Sequence, residues 1–125
     1  MPSKSMDKVI SAIKRIRCHV LIDEYKLHGL IAEQLNVAGI SYKNEVLLAP
    51  RNRIDFIAGN GIGIEAKKGK PNEQQVLRQL ERYAAFDEVK GLILVIERYM
   101  DLPETINGKP VISIGLRKLW GISSK

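Results

Sequence analysis

The sequence predicts an α/β domain with a mixed β-sheet flanked by helices, and three observations carry that prediction. Two apolar runs, 53–58 and 62–66, are joined by Gly59-Asn60-Gly61, the local signature of an antiparallel hairpin. The stretch from Glu73 to Phe86 has helical periodicity, with Val76, Leu80 and Ala84 in one stripe. Gly91-Leu92-Ile93-Leu94-Val95-Ile96 is an unbroken apolar run, as expected of a strand buried on both faces. A helix between two strands is the crossover that a parallel pair requires, and such units are right-handed. About four or five strands are expected in all.

From Met6 to about Ile22, Val9, Ile10, Ile13, Ile16 and Val20 recur at helical spacing among lysines and arginines. This predicts a basic amphipathic helix over residues 1–22, either touching phosphate or presenting a solvated face. Asp23 breaks or caps it. A second helix carries Leu27, Leu30, Ile31, Ala32 and Leu35 and ends near Gly39, a C-terminal cap. Glu45 to Ala49 reads as the first strand, and Pro50-Arg51-Asn52-Arg53 as a turn into the hairpin. Lys68-Gly69-Lys70-Pro71 is a basic loop, after which Asn72 caps the crossover helix. Residues 103–110 read as a loop with a turn at Asn107-Gly108, Val111 to Ile114 as a final strand, and Leu116 to Trp120 as a closing helical turn.

The charges in the hairpin are the anomaly. Successive side chains of a strand alternate in facing, so Asp55 is expected opposite Ile54 and Phe56, and Glu65 and Lys67 opposite Ile64 and Ala66. An odd-length loop puts Asp55 directly across from Glu65. The three-residue loop Gly59-Asn60-Gly61 does so, with Gly61 taking a left-handed conformation at no steric cost. A two-residue turn at Asn60-Gly61 would set Glu65 across from Phe56, on the wrong face. Two carboxylates and an ammonium on one face are costly unless a cation compensates them. Hard oxygen ligands suit Mg²⁺, with Mn²⁺ a possible substitute, and Mg²⁺ keeps coordination positions for phosphate and water. Such an ion polarises a phosphoryl oxygen and acidifies a neighbouring water, which Lys67 is placed to orient.

Asp55, nine intervening residues and Glu65-Ala66-Lys67 resemble the Asp…(Asp/Glu)-X-Lys signature of the PD-(D/E)XK nuclease superfamily. Gln79-Leu80-Glu81-Arg82-Tyr83 is similar to the Gln-X-X-X-Tyr helix motif of its RecB-like branch. The resemblance spans roughly Glu24 to Glu97, and Ile54 stands where the name-giving Pro would be. It implies a restriction-endonuclease-like core and a Mg²⁺-dependent deoxyribonuclease, in the setting of DNA repair or recombination. Asp55 and Glu65 would bind the metal, joined by the Ala66 carbonyl and an acidic residue of the preceding helix. Glu24 is the candidate for the latter, with Glu33 left open and His28 one turn from Glu24. Gln79 and Tyr83 would support the site, and Glu45 could approach it from the neighbouring strand. Arg51, Arg53, Lys68, Lys70 and Arg82 are candidate phosphate contacts.

A length of 125 residues fits one domain, with target recognition left to the same fold or to a partner. A net charge of +6 favours a polyanionic partner such as DNA. The single cysteine, Cys18, excludes an internal disulfide and a cysteine zinc site, and reads as a small buried residue. No stretch has the length of a membrane span, and charges interrupt the N-terminal apolar residues, so a cytoplasmic protein is expected. The small size suggests a homodimer or a subunit of a larger nucleic-acid-processing complex. The rivals are a nuclease-like fold that binds or recruits without cutting, and an RNA-directed or protein-interaction module.

Overall fold

The computed structural model describes residues 4–17 and 23–119. The elements run α1 (Lys4–Ile13), α2 (Glu24–Val37), β1 (Tyr42–Ala49), β2 (Asn52–Ala58), β3 (Ile62–Lys67), α3 (Glu73–Ala84), β4 (Gly91–Ile96), β5 (Thr105–Ile106), β6 (Lys109–Gly115) and α4 (Leu116–Leu119). The strands form one six-stranded mixed sheet in the order β1-β2-β3-β4-β6-β5. β1, β2 and β3 pair antiparallel, β3-β4 and β4-β6 parallel, and β5-β6 antiparallel. The sheet exceeds the expected four or five strands because 103–110 is not all loop. Asn107 and Gly108, at φ 53° and 76°, close a two-residue turn that pairs Ile106 with Lys109.

Two cores lie on the two faces of the sheet. α1 and α2 cover Phe56, Ala58, Ile62, Ile64, Ala66, Ile93 and Val95, while α3 covers Ile54, Leu92, Leu94 and Ile96. β4 alternates between the two sets residue by residue, which explains its unbroken apolar run. α3 is capped by Asn72, whose side chain accepts from the Gln75 N–H.

The N-terminal helix is shorter than its periodicity predicts. After Ile13 the chain tightens, with Arg15 N–H donating to Ala12 and Ile16 N–H to Ile13. The Arg17 guanidinium donates to the Lys14 and Ile16 carbonyls, satisfying groups that a longer helix would have used. Ile16 then turns into the core. Cys18, Val20, Ile22 and Trp120 lie outside the described residues. Asp23 caps α2 rather than ending α1, its side chain accepting from the Lys26 N–H. α2 closes as a Schellman motif: Gly39, at φ 72°, donates to Asn36, and Ile40 donates to Leu35.

The hairpin loop is Gly59-Asn60-Gly61, with Ala58 paired to Ile62 and Phe56 to Ile64. Both glycines have positive φ, 56° and 99°. Gly61 is also held by proximity, since a Cβ there would lie 2.5 Å from the Glu88 carbonyl oxygen. β1 begins at Tyr42, three residues before the expected start, and only Pro50-Arg51 remains as its turn into β2. The expectation that Ile54 and Phe56 share a face is corrected. Ile54 packs toward α3, and Phe56 packs toward α1 and α2. The same reversal occurs in β1 between Tyr42 and Val46, where Glu45 takes φ 49°. The β1-β2 ribbon thus changes facing at Glu45 and Asp55, which reaims the Asp55 side chain.

Replacing Gly61 with Ala should destabilise the fold by about 2 kcal/mol or more, since it combines positive-φ strain with a clash against main chain. Asn60→Ala, at the exposed tip, should cost within about 0.5 kcal/mol. Urea denaturation midpoints of the two variants check the contrast.

Candidate active site

The ladder between β2 and β3 is last paired at Phe56 and Ile64, and one further step sets Asp55 opposite Glu65. There side chains replace main-chain ladder partners. The Asp55 Oδ2 accepts the Ala66 N–H at 2.8 Å, and the Glu65 Oε1 lies 3.4 Å from the Asp55 N. In an extended strand the N–H and C=O of one residue point to the same side, so the Ala66 carbonyl also opens toward β2. The Lys67 carbonyl takes the opposite direction and accepts from Glu97.

Lys67, at the end of β3, puts Nζ 3.2 Å from the Glu65 Oε2. Glu65 is only 4% exposed and is the one charged residue in the described core. Burial raises its pKa to about 7, and the neighbouring Asp55 charge adds to the rise, against the opposing pull of Lys67. Asp55 is raised for the same first reason, while the Ala66 N–H, His28 and Lys67 pull it down and Glu24 pushes it up. Burial wins over the ion pair because most of the hydration shell is lost on the sheet while only one ammonium is gained.

α2 brings two further groups. Glu24 stands at its first residue, and its Oε2 accepts the Lys68 N–H at 3.2 Å. One turn on, the His28 Nε2 lies 3.3 Å from the Asp55 Oδ2 and has no hydrogen-bond partner of good geometry, while its ring packs edge-on against Phe56. The sequence places His28 one turn from Glu24 but assigns it no role, because a lone histidine on a helix has no distinguishing spacing. Glu33 is exposed and lies about 13 Å further along the helix by its rise, so it stays away from this cluster. Glu45 is exposed too and pairs with Arg53 at 3.7 Å.

From the other face, Tyr83 donates its hydroxyl to the Arg53 carbonyl at 2.6 Å and accepts from the Gln79 side-chain amide at 3.0 Å. Tyr83 is a core residue whose pKa is raised by burial and then by the Glu65 charge. The Gln79–Tyr83 pair therefore ties the start of β2 to α3. It braces the strand that carries Asp55 and hydrogen-bonds to neither carboxylate. Of the basic candidates, Arg82 lines two adjoining grooves on this side, Arg51 and Arg53 line one of them, and Lys68 and Lys70 sit on the loop after β3.

Among the described residues no group of three or more His, Cys, Asp or Glu side chains stands close enough to hold a metal ion alone. No described helix is long and apolar enough to cross a membrane. Compared with family models, curated proteins and solved structures, the chain matches none.

The Glu65 shift fixes a pH dependence. An acid whose pKa is raised on folding holds its proton more tightly in the folded state, so its contribution is favourable at low pH and is lost as pH climbs from 4.5 through about 7. Without divalent cation, wild type should lose about 3 kcal/mol from this group between about pH 4 and about pH 8. Glu65→Gln should flatten that loss, as read from denaturation midpoints in EDTA at both pH values.

Proposed function

We propose that this chain is a Mg²⁺-dependent deoxyribonuclease of PD-(D/E)XK type, built on a restriction-endonuclease-like core. The observation that carries the reading is the desolvated Asp55–Glu65 pair, with Lys67 at 3.2 Å, at the point where β2 and β3 part. A buried acid and a half-buried one, both raised by their surroundings, are a standing electrostatic cost, and a divalent cation is the ligand that removes it.

The donor set fits Mg²⁺. Asp55 and Glu65 offer hard oxygens, the Ala66 carbonyl opens to the same gap, and Mg²⁺ completes its shell with water rather than a protein cage. Glu24, and His28 beside it, approach from α2 and are the groups to reach the ion directly or through water. When bound, the ion polarises a phosphoryl oxygen and acidifies a nearby water. The chain supplies the rest. Lys67 orients the attacking water and offsets the charge that develops at phosphorus as the P–O bond to the leaving strand breaks. Glu65, through its ion pair, holds Lys67 in place. Gln79 and Tyr83 act as positioning residues through the Arg53 carbonyl. Arg51, Arg53, Lys68, Lys70 and Arg82 are assigned to phosphates of the DNA. A homodimer or a larger nucleic-acid-processing assembly is the proposed setting for target recognition.

Single-turnover cleavage of bound DNA tests the assignment. Asp55→Asn and Glu65→Gln should lose Mg²⁺ binding and cleavage together, because each removes a charged oxygen. Lys67→Ala should keep Mg²⁺ and DNA binding yet cut slower by on the order of 10²-fold or more. Equal rates for Lys67→Ala and wild type would leave the non-cleaving DNA-binding alternative as the better account. Glu24→Gln should require more Mg²⁺ for half-maximal rate while leaving the denaturation midpoint unchanged, and Glu33→Gln should change neither.

A further inference from the structure

Of the grooves that indent the described surface, two have no carboxylate in their lining. One, of about 400 Å³, runs from Lys67 past Gln75 and Arg78 to Arg82. The other, of about 310 Å³, continues from Arg82 to Arg53 and Arg51. Gln79 and Arg82 belong to both, so the two join into one valley along α3. Three other grooves include Glu88, Asp7 or Glu73 in their walls.

The helix that walls this valley shows why. Gln75, Arg78, Gln79 and Arg82 fall at i, i+3, i+4 and i+7, one continuous stripe, while Glu73, Gln74, Leu77 and Glu81 fall elsewhere on α3. Among the described residues Arg51, Arg78 and Arg82 form no ion pair, so their charge is not consumed within the fold. Arg51 adds a second, independent sign. It occupies the second position of the Pro50-Arg51 turn at φ 67°, where Gly or Asn would be less strained. A strained turn that carries an arginine displays a cation at the valley's far end at some cost to stability.

We infer that this valley is the track of a nucleic-acid backbone, with consecutive phosphates held by Arg78, Arg82 and Arg51 on the α3 side of the sheet. The partner is a phosphodiester strand read without regard to sequence. Arginine forks match phosphate oxygens, and contacts to phosphate position a strand without specifying its bases. Arg78 joins the binding residues on this ground, although its place in the sequence did not mark it. The inference deepens the nuclease reading and rests on it only for what lies at the Lys67 end.

The test is the salt dependence of binding by the full chain to a fluorescein-labelled single-stranded DNA and to its duplex, in EDTA so that nothing is cut. The triple variant Arg51→Ala/Arg78→Ala/Arg82→Ala should lower the log–log salt slope by about 2 to 3, since each lost phosphate contact removes about 0.7 for a single strand and about 0.9 for a duplex. Evaluated at roughly 0.1 M salt, that change weakens affinity by on the order of 10²-fold. The charge-matched control Lys8→Ala/Lys14→Ala/Arg15→Ala, on and just after α1, should keep the wild-type slope. A strand of scrambled sequence should bind equally well. An unchanged slope in the triple variant, an equal fall in the control, or no binding by wild type would each overturn the track. Its fate is separable from that of the nuclease reading: a reduced slope in the triple variant, together with no Mg²⁺-dependent cleavage by wild type, would keep the track and remove the enzyme.

Discussion

The β2-β3 ladder stops being paired by main chain at the position where two acids stand opposite each other, and much of the molecule is arranged around that parting. Asp55 supplies a carboxylate oxygen to the Ala66 N–H, and Glu65 turns an oxygen toward the Asp55 N. The exchange keeps donors from being stranded in a sheet interior, where an unmet N–H is expensive. It also turns the Ala66 carbonyl to the same gap. Glu24 repeats the device on the Lys68 N–H. Three carboxylates are thus each anchored by one main-chain donor, with geometry set by secondary structure rather than by flexible side chains.

Holding that parting open requires support from both faces. On one, α2 brings Glu24 and His28 to the carboxylates, and Phe56 packs against the His28 ring and Tyr42. On the other, Tyr83 grips the Arg53 carbonyl, two residues before Asp55. The Asp55 neighbourhood is clamped between the two cores, and this makes a change of facing between Ile54 and Phe56 tolerable. Function is proposed where the sheet is least regular, a common place for a protein to keep structural cost.

The electrostatics have the same origin. Glu65 is buried because β3 is a central strand covered on both faces, and burial rather than any single neighbour dominates its shift. The valley whose lining holds no carboxylate starts at Lys67, the ion-pair partner of Glu65, and runs along α3, so a solvated positive surface leads up to a desolvated acid. The proposed phosphodiester substrate would use both, with cations along its path and concentrated ligand oxygens where the proposed divalent ion would sit.

Much of this was legible in the sequence wherever a few neighbouring residues decide the outcome. The Gly59-Asn60-Gly61 loop, and with it the parity that pairs Asp55 with Glu65, follows from backbone sterics. The Asn72 cap, the Gly39 terminus and the Gln79–Tyr83 pair follow from hydrogen bonds between residues at most five apart. Only the tertiary structure decided what depends on which faces meet. α1 stops at Ile13 because Ile16 is drawn into the core, and Thr105–Ile106 becomes a strand because β6 lies beside it. Glu24 rather than Glu33 reaches the cluster, and His28 meets Asp55, because α2 crosses the sheet with its N-terminus over the end of β3. Periodicity says which residues of a helix share a side. The position along its axis at which that side meets a strand is set by long-range packing, which no local spacing encodes.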